Sequence, residues 1–281
     1  MVEGAGFLQR HSNVYIYVPN LIGYVRVALA LYSFHIAFTQ PIACVTLYFL
    51  SFVCDELDGR AARAFDQSST LGALLDMVTD RVATTGLLAI LCAVYPRASL
   101  LFLLLLALDI ASHWFQMYST LLAGSSTHKD VKSRSLLVRT YYSNRLFMGF
   151  CCVCCEVAYL AAYLLAWPQF QALGVVRLPP ALLAALPPRL VAALPPLAAL
   201  QRLGGLPAAA VVALAALPGV ATKQTCNWLQ LRTAAAGLVE YDARRMGGAA
   251  AARGGAGGAP AAPASAPSTP SRVTRSRAAA A

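Results

Sequence analysis

Charge is scarce in this chain. Only 12% of its 281 residues are Asp, Glu, Lys or Arg, against about 25% in a soluble domain. With 58% of residues hydrophobic, that scarcity excludes an ordinary soluble domain. The N-terminal stretch lacks a short apolar core followed by a small-residue cleavage site, so no cleavable signal peptide is expected. Metal-site spacing is missing from the eight cysteines. Cys151, Cys152, Cys154 and Cys155 cluster inside an apolar segment with no histidine nearby in sequence, and helix packing is their expected role. A basic patch of the kind that binds nucleic acid is also missing. The net charge of +10 is scattered or sits in short loops and the tail, where membrane orientation accounts for it better; no nucleic-acid partner is expected.

What is present is a series of apolar runs of about 20 residues, the mark of an all-α membrane protein that crosses the bilayer several times. Spans are expected at about 21–38, from 42 into an acidic motif, at 70–94, 99–122 and 141–167, and from between 208 and 218 to about 236. These give six transmembrane helices. Counting cations places the basic loop at about 123–140, the motif turn and both termini on the cytosolic side. The domain reading has five parts. Residues 1–17 are an amphipathic lead and 18–167 the membrane core with helices one to five. Residues 168–217 are an Ala/Leu/Pro-rich insert with Pro-Pro at 179–180, 187–188 and 195–196. Residues 218–246 form the sixth helix, and 247–281 a tail whose composition predicts disorder.

The chain is organised around Asp55–Asp80. Asp55 and Asp58 are three apart and share a helix face, while Gly72, Asp76 and Asp80 form a stripe at steps of four. Two helices presenting these faces to each other converge four carboxylates, a charge that hard divalent cations offset. The simpler reading is a set of salt bridges with Arg60, Arg63 and Arg81. It does not account for the small residues Gly59, Ala62 and Gly72, which let a substrate or a neighbouring backbone approach closely. Arg26, inside the first span, needs an anionic partner, a phosphate or a route to the interface.

The spacing D-x-x-D-G-x-x-A-R-x8-G-x-x-x-D-x-x-x-D resembles the signature of the CDP-alcohol phosphotransferases. Further segments resemble one branch of that superfamily, the eukaryotic phosphatidylinositol synthases: 18–24, 109–114, His128-Lys129, 139–142, Arg145 and 218–227. The resemblance implies a six-helix bundle, usually a homodimer, in the endoplasmic reticulum membrane with its active site facing the cytosol. It implies two divalent ions, Mg²⁺ or Mn²⁺, held by Asp55, Asp58 and Asp76 with Asp80 close by, and Asp80 as general base. Gly59, Ala62, Arg63 and Gly72, with Asn20, would bind CDP-diacylglycerol. The implied reaction moves a phosphatidyl group from CDP-diacylglycerol to myo-inositol and releases CMP.

The residues alone leave the acceptor open. His113, Gln116 and Asn227, on polar stripes of the fourth and sixth spans, suit a neutral polyol. Arg139 and Arg145 suit a phosphorylated acceptor such as glycerol 3-phosphate, and serine is a third alternative. A cation transporter would instead spread its acids through the depth of the membrane.

Overall fold

The computed structural model describes residues 8–122, 140–141, 143–189 and 200–254, with backbone only over 248–254. Contacts divide the chain into two units, 1–235 and 236–281, and the site lies wholly in the first.

Among the described residues, six long helices carry the fold: α1 (Val18–His35), α2 (Pro41–Ala64), α3 (Thr70–Val94), α4 (Ser99–Leu122), α5 (Arg145–Leu165) and α6 (Ala208–Gly254). Local chemistry sets their ends. Pro19 and Pro41 sit in the first turns of α1 and α2, where no intrahelical donor is lost. Ser69 caps α3 by accepting from the Gly72 amide at 3.0 Å, and Asn144 caps α5 by accepting from the Phe147 amide at 3.1 Å. Between α2 and α3 the chain reverses through Asp66, whose φ of 49° lies in the left-handed region. Gln67, fully buried, fastens this turn by accepting from the Val18 amide at 2.8 Å and donating to the Gln9 carbonyl at 3.1 Å.

By length and composition, α3, α6 up to Gly247, the stretch Pro96–Leu122 and α5 are long and apolar enough to cross a membrane. The chain is thus an all-α membrane protein in its helical part. On α4 the large apolar side chains Leu100, Leu103, Leu104 and Ile110 are exposed, a surface that water would penalise and lipid would not. The helices α1 and α2 carry Arg26 and the acidic motif, which lowers their hydropathy; counting them as fifth and sixth spans belongs to the functional proposal below.

α1 packs along α2 and α3, and α3 against α4 and α5. The buried core lies toward the end away from the acids: Ile36, Ala37, Cys44, Tyr48, Leu87, Leu88, Leu91, Cys155, Tyr159 and Tyr163. Tyr163 closes it by donating to the Ala37 carbonyl at 2.5 Å. Small residues set the helix spacing. A Cβ on Gly23 would lie 2.8 Å from the Leu75 side chain, and one on Gly86 would enter the Phe34 ring. One on Gly219 would lie 2.5 Å from Cys154. All eight cysteines are free; Cys151, Cys154 and Cys155 are buried between α5 and its neighbours.

Two details are added and one expectation shifts. Within the expected lead, residues 8–17 form turns and a 3-10 turn at Val14–Ile16. The segment after α5 is partly built: short helical turns at Pro168–Gln171 and Pro180–Ala184, and an antiparallel ribbon of β1 (Val176–Arg177) and β2 (Gly205–Leu206). Finally, α6 starts at Ala208, the early edge of the expected range, and runs past the expected end to Gly254. Proline is tolerated inside it, as in other membrane helices, with the Thr222 hydroxyl donating to the Pro218 carbonyl at 2.9 Å. Alanine-rich sequence, the best helix former, carries the helix through residues 248–252.

Candidate active site

The helix period puts Asp55 and Asp58 on the face of α2 that meets the Asp76–Asp80 stripe of α3. One oxygen each of Asp55, Asp76 and Asp80 lies within 4.8 Å of the other two. Asp58 joins them through Arg26. That guanidinium reaches Asp55 at 2.7 Å, Asp58 at 3.2 Å and Asp76 at 3.0 Å, and also bonds Asp80. Arg26 is 4% exposed, Asp58 is buried, Asp55 and Asp80 are half-buried and Asp76 is exposed. The backbone carbonyl of Arg26 accepts from the Ser51 hydroxyl at 2.9 Å, which ties the arginine's own turn to α2. Of the salt bridges expected as the simpler reading, one touches the motif: Arg81 lies 4.0 Å from Asp80 and, closer, 3.1 Å from Asp109 of α4, while Arg60 pairs with Glu56 on the surface at 2.8 Å.

Four carboxylates meet one buried guanidinium, with Arg81 shared between Asp80 and Asp109, so a net negative charge remains at one helix crossing. A purely structural ion-pair cluster would be closer to neutral. The surplus, the oxygen-only donor set and the spacing of Asp55, Asp76 and Asp80 fit hard divalent cations, and the arginine nitrogens stand where such charges would be neutralised.

Two cavities flank the acids. The first, about 180 Å³, is lined by Asn20, Gly59, Ala62, Arg63, Gly72 and their neighbours, with Asp58 and Asp76 at its wall. It is therefore the cavity of the small residues singled out in the motif. Asn20 is fully buried and donates to the Val14 carbonyl at 2.6 Å. Its side-chain oxygen has no donor among the described residues and would lie 2.8 Å from a Cβ on Gly72. A bare Gly72 thus leaves an unused acceptor at the cavity wall. The second cavity, about 910 Å³, has Arg26, Asp55 and Asp80 at one end and extends along Arg81, Thr84, Tyr48 and the α5 stripe Arg145, Gly149, Cys152, Glu156.

The model for the CDP-alcohol phosphatidyltransferases matches residues 16–168, more than half of the chain. The chain belongs to this family. It is 49% identical over 232 residues to a CDP-diacylglycerol–inositol 3-phosphatidyltransferase of Arabidopsis thaliana, covering 82% of this chain and 92% of the relative. The enzyme of that name from Schizosaccharomyces pombe is 40% identical over 237 residues, 83% of this chain and 93% of the relative. The one from Rattus norvegicus is 41% identical over 168 residues, 59% and 79% of the two chains. No solved structure matches the chain.

The residues expected at the acceptor are not brought together. Arg145 lines the large cavity. His113 turns back to the Asp109 carbonyl at 2.8 Å, and Gln116 bonds Thr120 of its own helix. Asn227 accepts from Lys223 at 3.0 Å. None of these three lines either cavity beside the acids, because a polar residue on an inward stripe can be satisfied by its own helix. Arg139 lies outside the described residues. Tyr48, Thr84 and Gln67 line the cavities without having been singled out: their signal, ordinary helix or turn residues, is too common to notice. Glu156 had a signal, a lone carboxylate at membrane depth on the stripe with Arg145.

Proposed function

We propose that this membrane enzyme transfers the phosphatidyl group of CDP-diacylglycerol to myo-inositol, giving phosphatidylinositol and CMP. One observation carries the reading. A single acid cluster separates two cavities, with Asp58 and Asp76 facing the small-residue cavity and Asp55 and Asp80 facing the large one. A group-transfer enzyme needs this arrangement: donor and acceptor meet at one charged centre from two sides. The relatives' names and the family match supply the identity of donor and acceptor.

In this reading Asn20, Gly59, Ala62, Arg63 and Gly72 hold the CDP portion. The free Asn20 oxygen receives a donor from the nucleotide, and the glycines let it lie close to the backbone. Asp55, Asp58, Asp76 and Asp80 hold two divalent ions, Mg²⁺ or Mn²⁺. Bound there, such ions neutralise the diphosphate and the charge developing on the departing CMP. Asp80 accepts the proton of an acceptor hydroxyl, whose oxygen attacks the β-phosphorus in line. The bond from that phosphorus to the bridging oxygen breaks, and CMP leaves with that oxygen. Six spans, a homodimer, a cytosol-facing site and residence in the endoplasmic reticulum complete the proposal, supported by the distribution of cations along the sequence and by the family resemblance.

The test is a side-by-side assay on the purified full chain with CDP-diacylglycerol and Mn²⁺ or Mg²⁺. CMP release should depend on myo-inositol and be small with serine or glycerol 3-phosphate. Faster release with either of the latter would overturn the acceptor assignment and leave only the family reaction.

A further inference from the structure

We propose that Glu156 is a specificity-determining residue that binds the acceptor from the side opposite Asp80, an inference that rests on the transfer reaction above. Glu156 lies on α5 inside the helical bundle. It accepts from the Tyr48 hydroxyl at 2.6 Å and from the Thr84 hydroxyl at 3.0 Å. A carboxylate has about four acceptor positions, so these two bonds leave capacity. No Lys, Arg or His pairs with it among the described residues. It lines the large cavity and also the small one behind it, of about 30 Å³, which it shares with Arg81, Asp109 and Lys223. An unpaired carboxylate at this depth is costly unless donors surround it. A ligand rich in hydroxyls would supply the missing ones.

Position supports the same conclusion. Thr84 is one turn from Asp80 along α3, about 6 Å by helix rise. A polyol ring with one hydroxyl at Asp80 can therefore present another to Glu156. Between them the α5 wall is open: a Cβ on Gly149 would meet nothing within 4 Å. Tyr48 and Thr84 hold the Glu156 oxygens in place from α2 and α3, the two helices that carry the acids.

The experiment compares the wild type with Glu156→Gln and Gly149→Leu in the full chain, measuring KM and kcat for myo-inositol and for CDP-diacylglycerol together with thermal stability. Losing a hydrogen bond to a charged acceptor should raise the KM for inositol roughly 10- to 100-fold, with the KM for CDP-diacylglycerol changed less than about twofold. Among mono-deoxy inositols, one should be a poor substrate for the wild type and nearly as good as myo-inositol for Glu156→Gln. Gly149→Leu, which has room to fold, should raise the inositol KM from the same wall. If Glu156 merely clamps three helices, Glu156→Gln lowers stability while the inositol KM and the deoxy-inositol pattern stay as in the wild type; that result overturns the proposal, as does an unchanged inositol KM in Gly149→Leu. A wild type that releases no CMP with inositol would instead refute the underlying reaction.

Discussion

Arg26 is the residue whose removal should be most informative, because it is a single buried cation among four carboxylates. In Arg26→Met the unbranched stem is kept and the charge is lost. Removing one partner of a fully buried ion pair costs about 3–5 kcal/mol. Here Asp76 and Asp80 are 51% and 40% exposed at the side chain, and water screens part of the repulsion, so the cost should fall to about 2 kcal/mol. For a chain of this size each kcal/mol corresponds to about 2–4 °C in Tm, which gives a loss of roughly 4–8 °C in EDTA. Divalent ions should reverse it. In the wild type the ions must compete with the guanidinium for the same oxygens; in Arg26→Met they need not. The Tm gain from saturating Mn²⁺ should therefore be larger in the variant, by about the amount lost in EDTA, since a ligand stabilises in proportion to the logarithm of its relative concentration. The assay is thermal unfolding of the detergent-solubilised chain, with and without Mn²⁺, for wild type and variant. A variant with wild-type Tm in EDTA, or with the same Mn²⁺ gain as the wild type, would refute the idea that Arg26 balances the acids.

Two further outcomes follow from the geometry. Asp80→Asn should lower kcat by roughly 10²- to 10⁴-fold, the contribution of a general base, while CMP still binds in Mn²⁺ by calorimetry; Asp58→Asn, at the wall of the nucleotide cavity, should weaken that binding, and equal loss in both would refute the division of roles. Replacing 178–204 by Asn-Gly should leave an active, membrane-inserted enzyme, since Arg177 and Gly205 already face each other across the ribbon and a two-residue turn can join them; well-inserted but inactive protein would show that the segment supports the site.

Much of this was legible because spacing along a helix is geometry. Steps of three and four place Asp55 with Asp58, Gly72 with Asp76 and Asp80, and Arg145 with Gly149, Cys152 and Glu156, before any fold is known. The ranges of α3 and α4 follow from apolar runs bounded by Ser69, Pro96 and the polar, basic sequence after Leu122. What spacing cannot convey is which stripe faces which. His113 and Asn227 were reasonable acceptor residues on that basis, yet each finds a partner on its own helix. An arginine within a span, Arg26, signals a need for an anion, but that four acids from two other helices meet it is a tertiary fact.

The depth of each polar group explains why the two sides of the site differ. The cavity proposed for the nucleotide is built at the turn between α2 and α3, where Ser69 caps a helix and Gln67 holds the chain. A polar ligand there needs little desolvation of the protein. The large cavity instead runs inward along α5 from Arg145 to Glu156, about three turns, or about 16 Å of helix rise. A small polar acceptor that enters this far must exchange water for protein hydrogen bonds. Its affinity then depends on how completely Glu156, Tyr48, Thr84 and Arg81 pair with it. A molecule missing one hydroxyl leaves a buried group unpaired, which is the costly side of the hydrogen-bond balance. Selectivity among acceptors should therefore arise at the inner end of that cavity, whereas the chemistry itself stays at the acids near its mouth.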